Sequence, residues 1–369
     1  MEKIKVLVVG LTGGVGGVET FICSVNRFIN HDRFQMDYLV HQDIQPQYTR
    51  NLQANGGTIY RIPGIKKGLL PFWKGISSFY RSHPYDIVHL NECGASFFIY
   101  VLPLLFQHRA KLIVHSHNGD SQKKGWHVFF RFFQDRRLNA RWACSEVAAR
   151  WMFGDKQPAT IIHNGIQLSR YRYDEESRSR LRRELGLGDK FVLGSVARFE
   201  KQKNHRGMIE MFAAYKAVHP HSCLVLVGDG GERQEIQRLV REKQLEQDVL
   251  FLGIRQDVQA LLSLFDVFLL PSLYEGLPFV AIEAQAAALP MLVSDTVSEE
   301  INLTSLVTRV GLSAPVDAWC AALEQLRTHP VDRSSPAYGE ALARAGYDIE
   351  DSVRKIELLY QNLVWGKQA

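Results

Sequence analysis

Short apolar runs recur along the chain and alternate with longer segments whose apolar residues return every three or four positions. In the first half IKVLVV, MDYLVH, TIYRI, DIVHL, KLIVHS, RWACS and ATIIHN read as strands, each too short for a helix. VETFICSVNRFI and EVAARWMF, lying among them, have the helical period. A second series follows, with FVLGSVA, CLVLVG, VLFLG, DVFLL and MLVS as strands and helices predicted over 206–219, 232–243, 257–264 and 278–288. The remainder reads as helical, down to VRKIELLYQNLVW. Strands alternating with helices predict the α/β class, with parallel sheets and right-handed crossovers.

Two such series predict two Rossmann-like domains with a cleft between them. The expected division is 1–170, 171–345 and a C-terminal helical segment, 346–369, that packs back on the first domain. The stretch Tyr171–Lys190 is polar and dense in charge, and reads as a linker running into a surface helix. ASFFIYVLPLLF (Ala95–Phe106) is too short to span a bilayer and contains Pro103, so it reads as a buried helix.

Composition narrows the class without naming a reaction. With 46% hydrophobic and 22% charged residues in 369, the chain has the balance of a soluble globular enzyme rather than a disordered protein. A net charge of +5 suits anionic small molecules or an anionic membrane surface, and falls short of a nucleic-acid binder. The five cysteines are scattered without a CxxC pair, as expected of reduced thiols in the cytoplasm. The opening apolar run is too short for a signal peptide and turns into glycines. A cytoplasmic protein is expected, with a peripheral place on the inner face of the membrane open to it.

The chemistry concentrates where strands end. PSLYEGLPFVAIEA (Pro271–Ala284) reads as strand, tight turn and helix, with Pro278 in the helix's first turn. A turn of this kind offers amides to a phosphate, here those of Gly276, Leu277 and Phe279. Glu275 stands at its lip, and Glu283, further into the helix, could accept two bonds from a diol such as a ribose. Otherwise Glu275 complements the helix dipole and Glu283 is a solvated helix residue. SVARFEKQKN places Arg198 and Lys203 on the loop after the second half's first strand, where two cations suit a pyrophosphate or are merely surface charges. GLTGGVGGVET opens the first helix with glycines that let a ligand approach the backbone. It is out of register with G-x-G-x-x-G, and only Asp37 offers itself as an acid for a nicotinamide ribose, which argues against a dehydrogenase. VHSHNGD carries His115 and His117, read as pointing to opposite faces so that only one meets a ligand; further zinc ligands at suitable spacing are lacking.

Together, GGVET, HSHN, HNGI, ARFEKQKN, VGDG and above all PSLYEGLPFVAIEA resemble glycosyltransferase family 4 over essentially the whole chain. That resemblance implies the GT-B fold and retaining transfer from a nucleotide-diphosphate sugar, most closely as in capsular or exopolysaccharide synthesis. It implies that Arg198 and Lys203 neutralise the donor diphosphate, that Glu275 meets the hexose, that the Gly276 and Leu277 amides meet hexose and phosphate, and that Glu283 holds the ribose. Gly16 and Gly17 would approach the diphosphate from the opposite domain, and His117 would reach the hexose. Gln167 stands where the family often has Asp after NGI. The donor expected is a UDP-sugar carrying hexose or N-acetylhexosamine, and the acceptor a saccharide, lipid-linked on a polyprenyl carrier. No metal or other cofactor is expected, since no DxD-type acidic pair is placed to hold one. Residues 123–141 set Trp126, Phe129, Phe130 and Phe133 on one helical stripe among six cations, as for an anionic membrane surface or for a helix packed on the first domain. The competing readings are a nucleotide-sugar epimerase on a similar fold and a non-catalytic scaffold of a polysaccharide assembly complex.

Overall fold

The computed structural model describes residues 2–14, 16–65, 68–92, 100, 110–117, 138–155 and 157–366. Its chain divides into two compact units, Met1–Gly165 with Asp348–Ala369, and Ile166–Tyr347. The two crossings lie side by side: the Ile166 N–H donates to the Tyr347 carbonyl at 2.9 Å.

The first unit runs β1 (Ile4–Val9), α1 (Gly17–Phe28), β2 (Phe34–Val40), α2 (Pro46–Gln53), β3 (Ile59–Arg61), α3 (Leu69–Ser82), β4 (Ile87–Glu92), β5 (Lys111–Ser116), β6 (Ala140–Ala143), α4 (Glu146–Phe153) and β7 (Thr160–Ile161). Among the described residues its seven strands form one parallel sheet, ordered β3-β2-β1-β4-β5-β6-β7. Alternate residues of β1 enter opposite cores. Val6 and Val8 pack with Phe21, Ile22 and Val25 of α1, while Leu7 and Val9 pack with Phe72, Ile76 and Phe79 of α3. A parallel sheet covered on both faces needs such nearly unbroken apolar strands, which is why they stand out in the sequence. The C-terminal helix, Ile349–Trp365, closes the α1 side, with Ile349, Val353, Ile356 and Tyr360 buried in the same cluster.

The second unit runs α5 (Glu175–Glu184), β8 (Phe191–Val196), α6 (His205–Val218), β9 (Ser222–Val227), α7 (Arg233–Glu242), β10 (Val249–Gly253), α8 (Val258–Leu264), β11 (Val267–Leu270), α9 (Phe279–Ala286), β12 (Met291–Ser294), β13 (Val307–Val310), α10 (Val316–Thr328) and α11 (Ala337–Arg344). Its sheet is also parallel, ordered β10-β9-β8-β11-β12-β13. The expected strands are all present, and β13 is an addition. Its VTRV is half-buried throughout and includes polar Thr308 and Arg309, so it lacks the apolar signature of the inner strands.

The charge-dense stretch Tyr171–Lys190 lies within the second unit, and its helical part is α5. In α5 only Leu181 is buried, so hydrophobic period could not reveal its docking. Charge docks it: Arg178 and Arg182 hold the Asp266 carboxylate at 2.5 and 2.9 Å, and Arg178 also donates to the Leu264 carbonyl at the end of α8. Ala95–Phe106, apart from Tyr100, and residues 123–137 of the aromatic segment lie outside the described residues. No helix among the described residues is long and apolar enough to cross a membrane.

Candidate active site

In both sheets the strand order reverses direction between the first strand and its later neighbour, β1 beside β4 and β8 beside β11. Loops leaving such a pair diverge to opposite faces, opening a crevice at the strands' carboxyl ends where ligands collect. Gly16, Arg198, Lys203, Glu275, Gly276 and Leu277 lie on loops that follow β1, β8 and β11, while His117 follows β5 and Glu283 lies within the helix after β11.

In the second unit the loops after β8 and β11 are fastened together. Leu273 N–H donates to the Gln202 carbonyl at 2.8 Å, and the Gln202 amide donates to the Tyr274 carbonyl at 2.9 Å. Asn204, in the left-handed region at φ 52°, caps α6 through Gly207 N–H and donates to the Pro271 carbonyl at 3.1 Å. This frame brings Lys203 Nζ onto Glu275 Oε1 as a close ion pair, with side chains only 15% and 9% exposed. Ser272 Oγ donates to the same oxygen at 3.1 Å. Arg198 stands apart, 73% exposed and paired with Glu200 at 2.8 Å. The VGDG turn passes close by: a Cβ on Gly228, at φ +131°, would lie 2.1 Å from the Ala197 carbonyl oxygen, so only glycine fits.

Pro278 sits one position earlier than expected, as the N-cap of α9 with extended backbone. Among the described residues no acceptor takes the N–H of Gly276, Leu277 or Phe279, and the space beside Gly276 is open. Glu283, the fifth residue of α9, receives the Tyr171 hydroxyl on Oε1 at 2.8 Å. Burial pushes the Glu283 carboxyl upward, against the opposing pull of Tyr171 and Arg170. It is therefore not the solvated helix residue of the simpler reading.

In the first unit, Gly16 caps α1 and Gly17 begins it. The loop is braced by buried Glu19, whose Oε1 accepts from Thr12 N–H at 3.1 Å and Thr12 Oγ1 at 2.5 Å. Gly10, at φ +122°, lets β1 close on β4; a Cβ there would lie 2.0 Å from the Asn91 carbonyl oxygen. The expectation that His115 and His117 face opposite ways is overturned. Residues two apart on a strand share a face, and the two rings are 4.1 Å apart. They differ in depth: His115 is fully buried against His89 and Trp142, while His117 sits just past the end of β5. His89 in turn meets the Tyr360 hydroxyl at 2.6 Å. Asp37 is buried and spoken for, accepting from Thr58 N–H at 2.9 Å and the Tyr85 hydroxyl at 3.0 Å.

His117 is clamped by two amides that sequence reasoning did not single out. Its Nε2 meets Asn91 Oδ1 at 2.9 Å and its Nδ1 meets Asn164 Oδ1 at 3.0 Å. Burial lowers its pKa to about 4, with the Asn164 bond opposing. A neutral imidazole donates from one nitrogen only, so one amide must turn its nitrogen to the ring. Asn91 is held as it stands by its own donation to the Val9 carbonyl at 3.4 Å. The turn therefore falls to Asn164, and the ring proton to Nε2.

Two Rossmann-like units, each gathering polar groups at the carboxyl ends beside its switch point, have the architecture of the GT-B class. The chain belongs to glycosyltransferase family 4. The model described as Glycosyltransferase Family 4 matches residues 15–170, and that described as Glycosyl transferases group 1 matches residues 177–326. EpsF of Bacillus subtilis (strain 168) is 31% identical over 361 residues, which cover 94% of this chain and 93% of that protein. The UDP-Gal:alpha-D-GlcNAc-diphosphoundecaprenol alpha-1,3-galactosyltransferase of Escherichia coli is 26% identical over 319 residues, 80% of each chain. Among solved structures, Anabaena Alr3699/HepE in complex with UDP is 20% identical with a TM-score of 0.79, covering 96% of this chain and 98% of its own.

Proposed function

We propose that the enzyme moves a hexose or N-acetylhexosamine from a UDP-sugar, with retention at the anomeric carbon, to a lipid-linked saccharide in surface-polysaccharide synthesis. The observation that carries this is the Lys203–Glu275 pair beside three uncommitted N–H groups at the second unit's switch point. As the sugar–oxygen bond breaks, negative charge grows on the leaving diphosphate. A fixed cation and fixed amides at that oxygen lower the barrier most, since they need no reorganisation during the step. Lys203 and the Gly276 and Leu277 amides fill this role, and Arg198 adds a mobile charge from the same loop. Glu275 takes the hexose hydroxyls and Glu283 the ribose. Gly16, Gly17 and His117 serve the donor from the first unit, where His117 acts as a neutral ring. These cations and amides supply the charge that a metal supplies elsewhere, so none is invoked.

The acceptor class is supported by the Escherichia coli relative, whose name specifies a sugar on diphosphoundecaprenol. An acceptor of that kind lies at a membrane surface, and the proposed address is the segment 123–141. The test is a donor panel with synthetic polyprenyl-diphosphate sugar, reading released nucleotide and the anomeric configuration of the product. Acceptor-dependent release with an α-linked product from an α-linked donor, unchanged by EDTA, is expected. Inversion, dependence on added Mg²⁺ or Mn²⁺, or donor turnover without acceptor would each overturn a part of the proposal.

A further inference from the structure

Tyr171 ends the short turn Leu168–Tyr171, the first element of the second unit after the chain crosses into it. Its ring packs against two apolar clusters, one holding Ala281 and Ala284, the other Ile282 and Ala286 of α9. Its hydroxyl donates to Glu283 Oε1 at 2.8 Å. Among the described residues nothing donates to the other oxygen, Oε2. We propose that Tyr171 is a positioning residue for nucleotide binding: it occupies one oxygen of Glu283 and thereby presents the other to a vicinal diol. The proposal rests on the reading of Glu283 as the ribose-binding group.

The chemistry of the pair supports this division. Burial pushes the Tyr171 phenol upward, so it keeps its proton and acts as a donor. A carboxylate in a buried place needs such a donor to stay ionised. The other charges facing Glu283 are few. Arg170, on the same turn, also favours the charged form. Helix α11 brings Glu340 and Arg344, exposed and paired with each other at 3.6 Å. Helix α8 and strand β12, which also pack on α9, carry no ionisable side chain. Phenylalanine at position 171 would keep the packing and delete only the hydroxyl. Glu283 would then lose its orienting bond, and its carboxyl would protonate at a higher pH.

The experiment is calorimetric titration of the full chain with UDP and with 2′,3′-dideoxy-UDP between pH 5 and 8, for wild type, Y171F, E283Q and the double variant. For Y171F, UDP affinity should fall on the order of 10-fold at pH 7.5, the scale of one hydrogen bond to a charged group. The loss should widen as the pH drops to 5.5, while dideoxy-UDP binds as to wild type. The double variant should be no weaker than E283Q. Equal losses for both nucleotides, no loss, or a Y171F pH profile parallel to wild type would overturn the role of Tyr171. Failure of wild type to bind UDP, or an E283Q variant that binds it normally, would instead overturn the ribose reading on which the proposal stands.

Discussion

Replacing Lys203 with methionine keeps most of the aliphatic stem and removes a cation that is 15% exposed, beside a carboxylate that is 9% exposed. Glu275 then retains one neutral donor, Ser272 Oγ at 3.1 Å. Breaking a buried pair from one side costs about 3–5 kcal/mol, because the remaining charge is left uncompensated. The surviving serine bond offsets about 1 kcal/mol of this. The expected loss is about 2–4 kcal/mol, which for a unit of this size lowers its melting temperature by about 5–15 °C. The double variant K203M/E275Q removes both charges and should recover most of that loss. Turnover should behave differently: K203M should lower kcat by about 100-fold or more, and the double variant should not restore it. Differential scanning calorimetry and a released-nucleotide assay on the same preparations separate the two effects. A double variant that recovers activity together with stability would show that Lys203 only braces the loop, and the electrostatic reasoning would fail. A single variant that melts with the wild type would refute the buried-pair argument itself.

E275Q should impair sugar transfer while keeping affinity for UDP, whereas E283Q should weaken UDP itself; equal losses in a calorimetric titration would refute that division. In the first unit, burial holds His89 down at about 3 and His117 at about 4, and His115 is also lowered, against 6.5 for the free side chain. Below pH 6.5 the unfolded chain therefore binds protons that the folded unit refuses, so stability falls as pH drops from 6.5 toward 4. The slope is at most about 1.4 kcal/mol per pH unit for each histidine, and H89Q should make melting temperature depend less steeply on pH. Tyr360→Phe removes the hydroxyl bonded to His89 and should cost about 1–2 kcal/mol, read as an earlier denaturation midpoint with an unchanged m-value. Reversing Lys123, Lys124, Arg136 and Arg137 to Glu should abolish salt-sensitive sedimentation with anionic vesicles yet spare transfer to a short soluble acceptor; continued sedimentation would place the anchor elsewhere.

What the sequence showed and what it hid follow from the range of the forces involved. Inner strands such as β9, buried at every position, announce themselves because the alternation of neighbours is irrelevant when both faces are covered. The loops were legible for a similar reason, since a strand, a glycine or proline break and a helix start fall within a few residues. Tyr171 and Glu283 are 112 positions apart, and Asn91 and Asn164 stand 26 and 47 positions from His117. Nothing local distinguishes such partners from other polar residues, because only the folded sheet brings them together. Helix α5 reads as a surface helix, but its docking partner stays hidden because the docking is ionic. The facing of the two histidines was misjudged at the level of strand geometry, where period two already places them together.

The two crossings between units have a consequence for how the protein is made. The first unit's sheet is covered in part by a helix that begins after Tyr347, and that helix fills the core with Ile349, Val353, Ile356 and Tyr360. The ribosome therefore delivers the first unit in two instalments, separated by the whole of Ile166–Tyr347. At roughly 5–20 residues per second the wait is about 10–40 s, the time taken to make the second unit itself. During that interval the nascent sheet exposes an apolar face and the imidazole of His89, both later covered by the final helix. A chaperone that binds apolar surface has its natural substrate there, and a stop codon just before Asp348 would leave that face permanently open.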